Sequence, residues 1–207
     1  MEIILNNIAK RYLYDWIFRN LTIHFKPPIR YAILGSNGSG KSTLLKILSG
    51  HLSPSKGTLQ FKINGKELEK EEVYKQVSFA SPYIDLIEEF TLLETIDFHQ
   101  QFKPFLKGLT TDSFIQLIQL EKAKNKEIRF FSSGMKQRLK LGLAICSNTA
   151  LLLLDEPTAT LDEKSVTWFH DLLEKYNEGI IALSGCMGGE VSNAFRNGDD
   201  DKARDIA

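Results

Sequence analysis

The 207-residue sequence has little of what ties a chain to a bilayer or to an oxidising compartment. Its two cysteines, Cys146 and Cys186, are too few for a disulfide framework, which fits a reducing environment. No uninterrupted apolar run is longer than residues 150–154, far from the ~20 residues a transmembrane helix requires. The opening Met1-Glu2-Ile3-Ile4 lacks a basic stretch leading into an apolar core, so no secretory signal is expected. Charge of one sign is also lacking: 26 basic residues balance 26 acidic ones, leaving no global field to favour nucleic acid or an anionic surface. Repeats, low-complexity tracts and Pro/Gly/Ser linkers are absent. Apolar residues are plentiful, at 43% with 13 Phe, which excludes disorder as the main state and supplies a core. A soluble cytosolic domain is expected.

The pattern along the chain changes period. Short β-type runs occupy the first 80 residues, at 3–5, 21–25, 31–34, 58–63 and 77–80, and Asn64-Gly65 marks a tight turn. Thr91 with Glu94 then forms a capping box ahead of Leu92, Ile96 and His99 at helical spacing. Asp112 is expected to cap a second helix, and a third is expected over about 133–146. The run 151–154 reads as a strand buried on both sides, 161–176 as an amphipathic helix and 180–183 as another buried strand. Strands alternating with helices predict an α/β protein around a mostly parallel sheet.

Two stretches carry chemistry. After the run 31–34 comes Gly35-Ser36-Asn37-Gly38-Ser39-Gly40-Lys41-Ser42, followed by Thr43 and by leucines at helical spacing. Glycines let successive N–H groups converge on an anion, and the following helix aims its positive end at it. Lys41 adds a full charge against β- and γ-phosphates, and the Ser42 hydroxyl suits a Mg²⁺ shell. The second stretch is Asp155-Glu156-Pro157 at the end of a buried strand. Parallel strands deliver ligand sites at their carboxyl ends, so Asp155 is expected to hold Mg²⁺ and Glu156 to polarise a water for attack on the γ-phosphate.

Together with Phe131-Ser132-Ser133-Gly134-Met135-Lys136-Gln137-Arg138, Asp155-Glu156-Pro157-Thr158 and Thr160-Leu161-Asp162, this order of motifs resembles the ATP-binding subunit of ABC transporters from Met1 to about Tyr176. The resemblance implies a P-loop NTPase (RecA-like) sheet core. An N-terminal antiparallel β subdomain and a helical subdomain inserted over about 85–140 would flank it, with 177–207 an atypical C-terminal segment. It also implies that ATP and Mg²⁺ bind at Gly35, Ser36, Asn37, Gly38, Ser39, Gly40, Lys41, Ser42 and Thr43, with Ser42 and Asp155 as metal ligands. Tyr12 would stack on adenine, although Tyr14 and Trp16 lie close enough for a merely structural aromatic cluster. Ser132 and Gly134 would meet the γ-phosphate held by a second subunit, with Asp162 in the adjoining D-loop. A homodimer or paired ATPase subunit and a separate transmembrane permease are the implied partners, with no nucleic acid. The subunit would lie on the inner face of the membrane through the permease. The S-x-G-M-x-Q-R pattern is similar to that of exporter subunits.

The sequence departs from the family twice. Ser81-Pro82 stands where a glutamine is usual, and Ser184-Gly185-Cys186 stands where a histidine is usual, with no histidine beyond His170. These departures keep a second reading open, an ATP-binding module with little or no turnover. Residues 178–190, with a continuation through 197–199 to Ala207, are similar to part of the PHP domain of bacterial replicative polymerase α-subunits, which implies a junction of two reading frames near 176–179. A divergent family terminus is the alternative, and a segment of ~30 residues is too short to fold alone, so no polymerase activity follows. A P-loop GTPase is disfavoured because Asn125-Lys126-Glu127-Ile128 lacks the aspartate of a guanine reader.

Overall fold

The structure is a computed structural model that describes residues 1–176 and 180–185. The chain forms two compact units, one of residues 1–77 and 150–156 with the strand that follows residue 179, the other of 78–149 and the segment after Glu156.

In the first unit, β1 (Glu2–Tyr12) and β2 (Asp15–Phe25) form an antiparallel hairpin joined by Leu13 and Tyr14, with Leu13 at φ 52°. Next in chain order are β3 (Tyr31–Leu34), α1 (Lys41–Leu48), β4 (Lys56–Ile63) and β5 (Lys66–Glu67). β4 pairs with the other edge of β1 and turns through Asn64-Gly65 into β5. Both turn residues have positive φ, 51° and 78°, as a two-residue hairpin turn of this twist demands. The strands are much longer than the expected 3–5 and 21–25 because the apolar alternation is interrupted and then resumes. Ile3 and Leu5 are buried, the register shifts between Leu5 and Ile8, and Ile8 is buried in turn. A bulge at Asn7 (φ 52°) makes that change of phase. Opposite it, a Cβ on Gly57 would sit 2.4 Å from the Asn7 carbonyl oxygen, so only glycine fits there.

A parallel sheet forms the other part of this unit. β7 (Leu151–Asp155) and β3 flank β8 (Ile180–Gly185), with Leu154 level with Leu183 and Asp155 level with Ser184 on one side, and Ile33 level with Ser184 on the other. Leu151, Leu153 and Leu154 are fully or almost fully buried, as the unbroken apolar run predicts. Helix α1 contributes Leu44, Leu45, Ile47 and Leu48 to the core, and the short α2 (Lys70–Gln76) contributes Val73.

The second unit opens in the strand β6 (Val77–Ala80) and is otherwise helical: α3 (Leu92–Phe102), α4 (Thr111–Leu117), α5 (Ser133–Ile145) and α6 (Glu163–Tyr176). The Thr91–Glu94 capping box is present in both directions. The second helix is capped differently from the expectation. Thr110 is the N-cap, exchanging bonds with Ser113, while Asp112 lies within the first turn and ion-pairs with Lys124 at 2.7 Å. A hydroxyl pair three residues apart closes both ends of the box, which Asp112 at its own position does not. Helix α6 begins two residues later than expected, since the Asp162 carboxylate accepts from the Ser165 N–H at 2.8 Å and stops the helix there. Gly142 of α5 lets α4 approach closely, as a Cβ would lie 2.4 Å from the Ile118 side chain.

The α/β class, the antiparallel N-terminal sheet and the parallel sheet agree with the expected P-loop architecture. The PHP-like stretch and the reading-frame junction concern residues that, apart from Tyr176 and the strand 180–185, lie outside the described ones.

Candidate functional site

The phosphate-binding loop leaves β3 at Leu34 and enters α1 at Lys41. Its turn closes through Ser39 N–H donating to Ser36 C=O at 3.1 Å, and the helix starts with Leu44 N–H donating to Gly40 C=O at 2.8 Å. Gly40 is required twice over. Its φ is 95°, and a Cβ would lie 2.5 Å from the Ile17 side chain and 3.2 Å from Phe18. That contact seats β2 against the loop and so brings the end of the β1–β2 hairpin beside it.

Lys41 is buried, at 8% exposure, and its ammonium donates to the carbonyls of Gly35 and Ser36, both at 3.1 Å. Among the described residues no carboxylate forms a salt bridge with it. A buried cation held only by carbonyl dipoles is costly unless an anion completes its shell, so this loop fits a phosphate group. Ser42 and Thr43 are half-buried in the first turn of α1. Gly35, Ser36, Asn37, Gly38 and Ser39 form the loop itself, with Gly38 at φ 79°.

Asp155 closes β7 and is completely buried. Ile33 and Asp155 are both level with Ser184, so two strand spacings, about 10 Å, separate their backbones at one edge of the sheet. The loop begins two residues past Ile33, and Glu156 follows Asp155 at the same edge. Glu156 is half-buried with φ 45°, in the left-handed region that non-glycine residues avoid.

Tyr12 ends β1 opposite Asp15, two residues before Ile17. Tyr12 as a residue is 48% exposed, and Lys10 Nζ lies 5.3 Å from its ring centroid. Trp16 instead takes Arg11, Arg19 and Lys56 at 5.6, 4.6 and 5.5 Å, and Tyr14 is 91% exposed. Among the described residues no ring pair joins Tyr12 to either, so its free face is not spent on an aromatic cluster. The first unit thus gathers Tyr12, residues 35–43, Asp155 and Glu156.

Ser132, Gly134 and Asp162 belong to the second unit. Ser132 is the N-cap of α5, its hydroxyl accepting from Met135 N–H at 3.2 Å, and Ser132 and Ser133 are exposed. A Cβ on Gly134 would meet only the Ser132 hydroxyl among the described residues, at an unstrained 4.0 Å. Asp162 caps α6, and the hydroxyl and N–H of Ser165 hold its carboxyl below the usual carboxylate range. Ser81, at the position usual for glutamine, is 1% exposed, and its hydroxyl accepts from Tyr83 N–H at 3.4 Å. Gln137 and Arg138, the last two residues of the 131–138 motif, bond to Pro157 and to Ser165 and Gln119 respectively. No local pattern marks Gln137, because of its helical neighbours Ser133, Gly134, Lys140 and Leu141 only Leu141 is buried.

A parallel sheet delivering a glycine-rich loop, a buried lysine and two carboxylates to one edge defines a P-loop nucleotide-binding protein. A family model described as "ABC transporter" matches residues 18–159. The chain belongs to the ABC transporter family, as an ATP-binding subunit of the ABC ATPase kind. It is similar to the uncharacterized ABC transporter ATP-binding protein YybJ of Bacillus subtilis, at 34% identity over 86% of this chain and 82% of YybJ. It is also similar to the lantibiotic transport ATP-binding protein SrtF of Streptococcus pyogenes, at 29% identity over 91% and 82% of the two chains. The fold matches a dimeric post-hydrolysis state of the ATP-binding cassette MJ0796 bound to ADP and Pi, with TM-score 0.74, 24% identity, and 88% and 87% coverage. Among the described residues no helix is long and apolar enough to cross a membrane.

Proposed function

We propose that this chain binds MgATP at residues 35–43 and hydrolyses it to drive a separate transmembrane permease, as the energy-coupling subunit of an exporter-type transporter. The carrying observation is the buried Lys41 ammonium, which donates to two loop carbonyls and, among the described residues, pairs with no carboxylate, at the sheet edge where Asp155 and Glu156 emerge. Lys41 holds the β- and γ-phosphates, the loop N–H groups surround them, and Tyr12 supports the adenine. Ser42 and Asp155 are the residues that would hold Mg²⁺, and the ion, when bound, neutralises charge on the phosphate oxygens. Glu156 accepts a proton from the attacking water. Ser132 and Gly134, at the amino end of α5, present N–H groups to the γ-phosphate bound by a second copy, with Asp162 alongside. Exporter-type coupling is supported by the 132–138 pattern, and the name of SrtF, a transport protein, is compatible with it. The chain would lie in the cytoplasm, peripheral to the membrane through its permease.

Calorimetry with MgATP tests the site: wild type binds and Lys41→Ala does not, and an unchanged isotherm rejects it. The second reading, binding with little turnover, is favoured by Ser81, whose buried hydroxyl is engaged with the backbone rather than extended as a glutamine amide. Phosphate release from the wild type at saturating MgATP separates the two.

A further inference from the structure

The first turns of α5 are tied to the segment that follows Glu156. Gln137 is 3% exposed, and its Nε2 donates to the Pro157 carbonyl at 3.0 Å. Its neighbour Arg138 donates from Nε and Nη2 to the Ser165 hydroxyl at 3.2 and 2.6 Å, and from Nη1 to Gln119 Oε1 at 2.9 Å. Ser165 in turn donates its N–H to Asp162. Residues 157–165 are therefore fastened at both ends to the first turns of α5, the helix that Ser132 caps. A buried amide–carbonyl bond of this kind is hard to break without cost, because either partner left alone stays desolvated.

Pro157 is bonded to Glu156, and Glu156 sits at φ 45°, a conformation that costs on the order of 1–3 kcal/mol and persists only when its surroundings enforce it. The Gln137–Pro157 bond holds the Pro157–Thr158 peptide, one residue beyond this strained position. Ser132, five residues before Gln137, is where the second copy's γ-phosphate would be felt.

We propose that Gln137 is a positioning residue that carries the occupancy of the Ser132–Gly134 turn to the backbone of Glu156 through the Pro157 carbonyl. This rests on the reading of Glu156 and Ser132 given above. Gln137 touches no substrate; it orients the residue that does, and Arg138 keeps the far end of the segment in step.

Three measurements on the full chain test this. In Gln137→Met, which conserves volume, kcat for ATP falls by up to about 100-fold, as expected for a misplaced reacting group, while KM stays within about twofold. In Gln137→Glu, turnover relative to wild type recovers as the pH is lowered, because a buried glutamic acid donates once protonated and repels the carbonyl when ionised. In hydrogen exchange, MgATP protects the amides of 158–165 in wild type, and in Gln137→Met that protection is lost while protection of 35–43 remains. Unchanged kcat in a folded Gln137→Met, or equal pH profiles for Gln137→Glu and wild type, overturns the proposal. So does the absence of any MgATP-dependent change over 158–165 in wild type. A wild type that binds MgATP without hydrolysing it rejects the catalytic reading of Glu156 alone, and the exchange experiment then still decides the role of Gln137.

Discussion

Ile33 on β3 and Asp155 on β7 share one partner, Ser184 of β8. That single register fixes how far the phosphate loop lies from the acidic pair, because each strand step is about 4.8 Å and neither β3 nor β7 can slip without unpairing β8.

Gly40→Ala should damage loop and sheet together. The new methyl meets Ile17 at 2.5 Å, in a backbone conformation of φ 95° that alanine resists. A loss of about 1–3 kcal/mol in unfolding free energy is expected, with weakened MgATP binding. Denaturant melts and calorimetry on the same variant check both, and a fully stable variant with normal affinity refutes the contact.

At position 156, function and backbone comfort conflict. Glu156→Gly relieves the φ 45° strain and should raise stability by about 1 kcal/mol while removing turnover. Glu156→Gln should also remove turnover but leave stability within error of wild type. Thermal melts set beside phosphate-release assays separate the two effects.

Burial pushes His99 down to about 4, with Lys103 adding repulsion. Ser147 donates its hydroxyl proton to Leu143 C=O at 2.6 Å, so His99 Nε2 is the donor in its 2.7 Å bond to Ser147, and burial favours the neutral ring. Between pH 6.5 and about 4 the unfolded chain takes up a proton that the folded chain refuses. Stability is therefore lost as pH falls through this window, by about 3 kcal/mol at most from this group. Urea melts of wild type and His99→Gln should diverge in slope over this range and run parallel above pH 7.

Thr110→Ala should cost about 1 kcal/mol, the usual value for a lost N-cap, whereas Asp112→Ala removes only an exposed ion pair and should cost about 0–1 kcal/mol. Equal losses would restore Asp112 as the cap.

The capping comparison shows how legibility in the sequence varied. Thr91–Glu94 could be read because its two members stand at a fixed spacing ahead of an apolar repeat. Thr110–Ser113 uses two hydroxyls, which are common in turns, and Asp112 between them offered a stronger but misplaced signal. The bulge at Asn7 could not be read, since its cause is the carbonyl approach to Gly57 on a strand some fifty residues away. Residues 35–42 and 155–156 were legible because phosphate chemistry demands those residue types in local order. Gln137 was not, because its partner is a backbone carbonyl that carries no side-chain signature.

By itself the sequence determined the family, the α/β class and the loop, all of which depend on residues adjacent in the chain and on local period. Tertiary structure decided which residues meet: Lys41 with its own loop carbonyls, Gly40 with Ile17, and Gln137 with Pro157. Those pairings follow from burial and strand register, and both are properties of the packed chain that no local pattern of residues encodes.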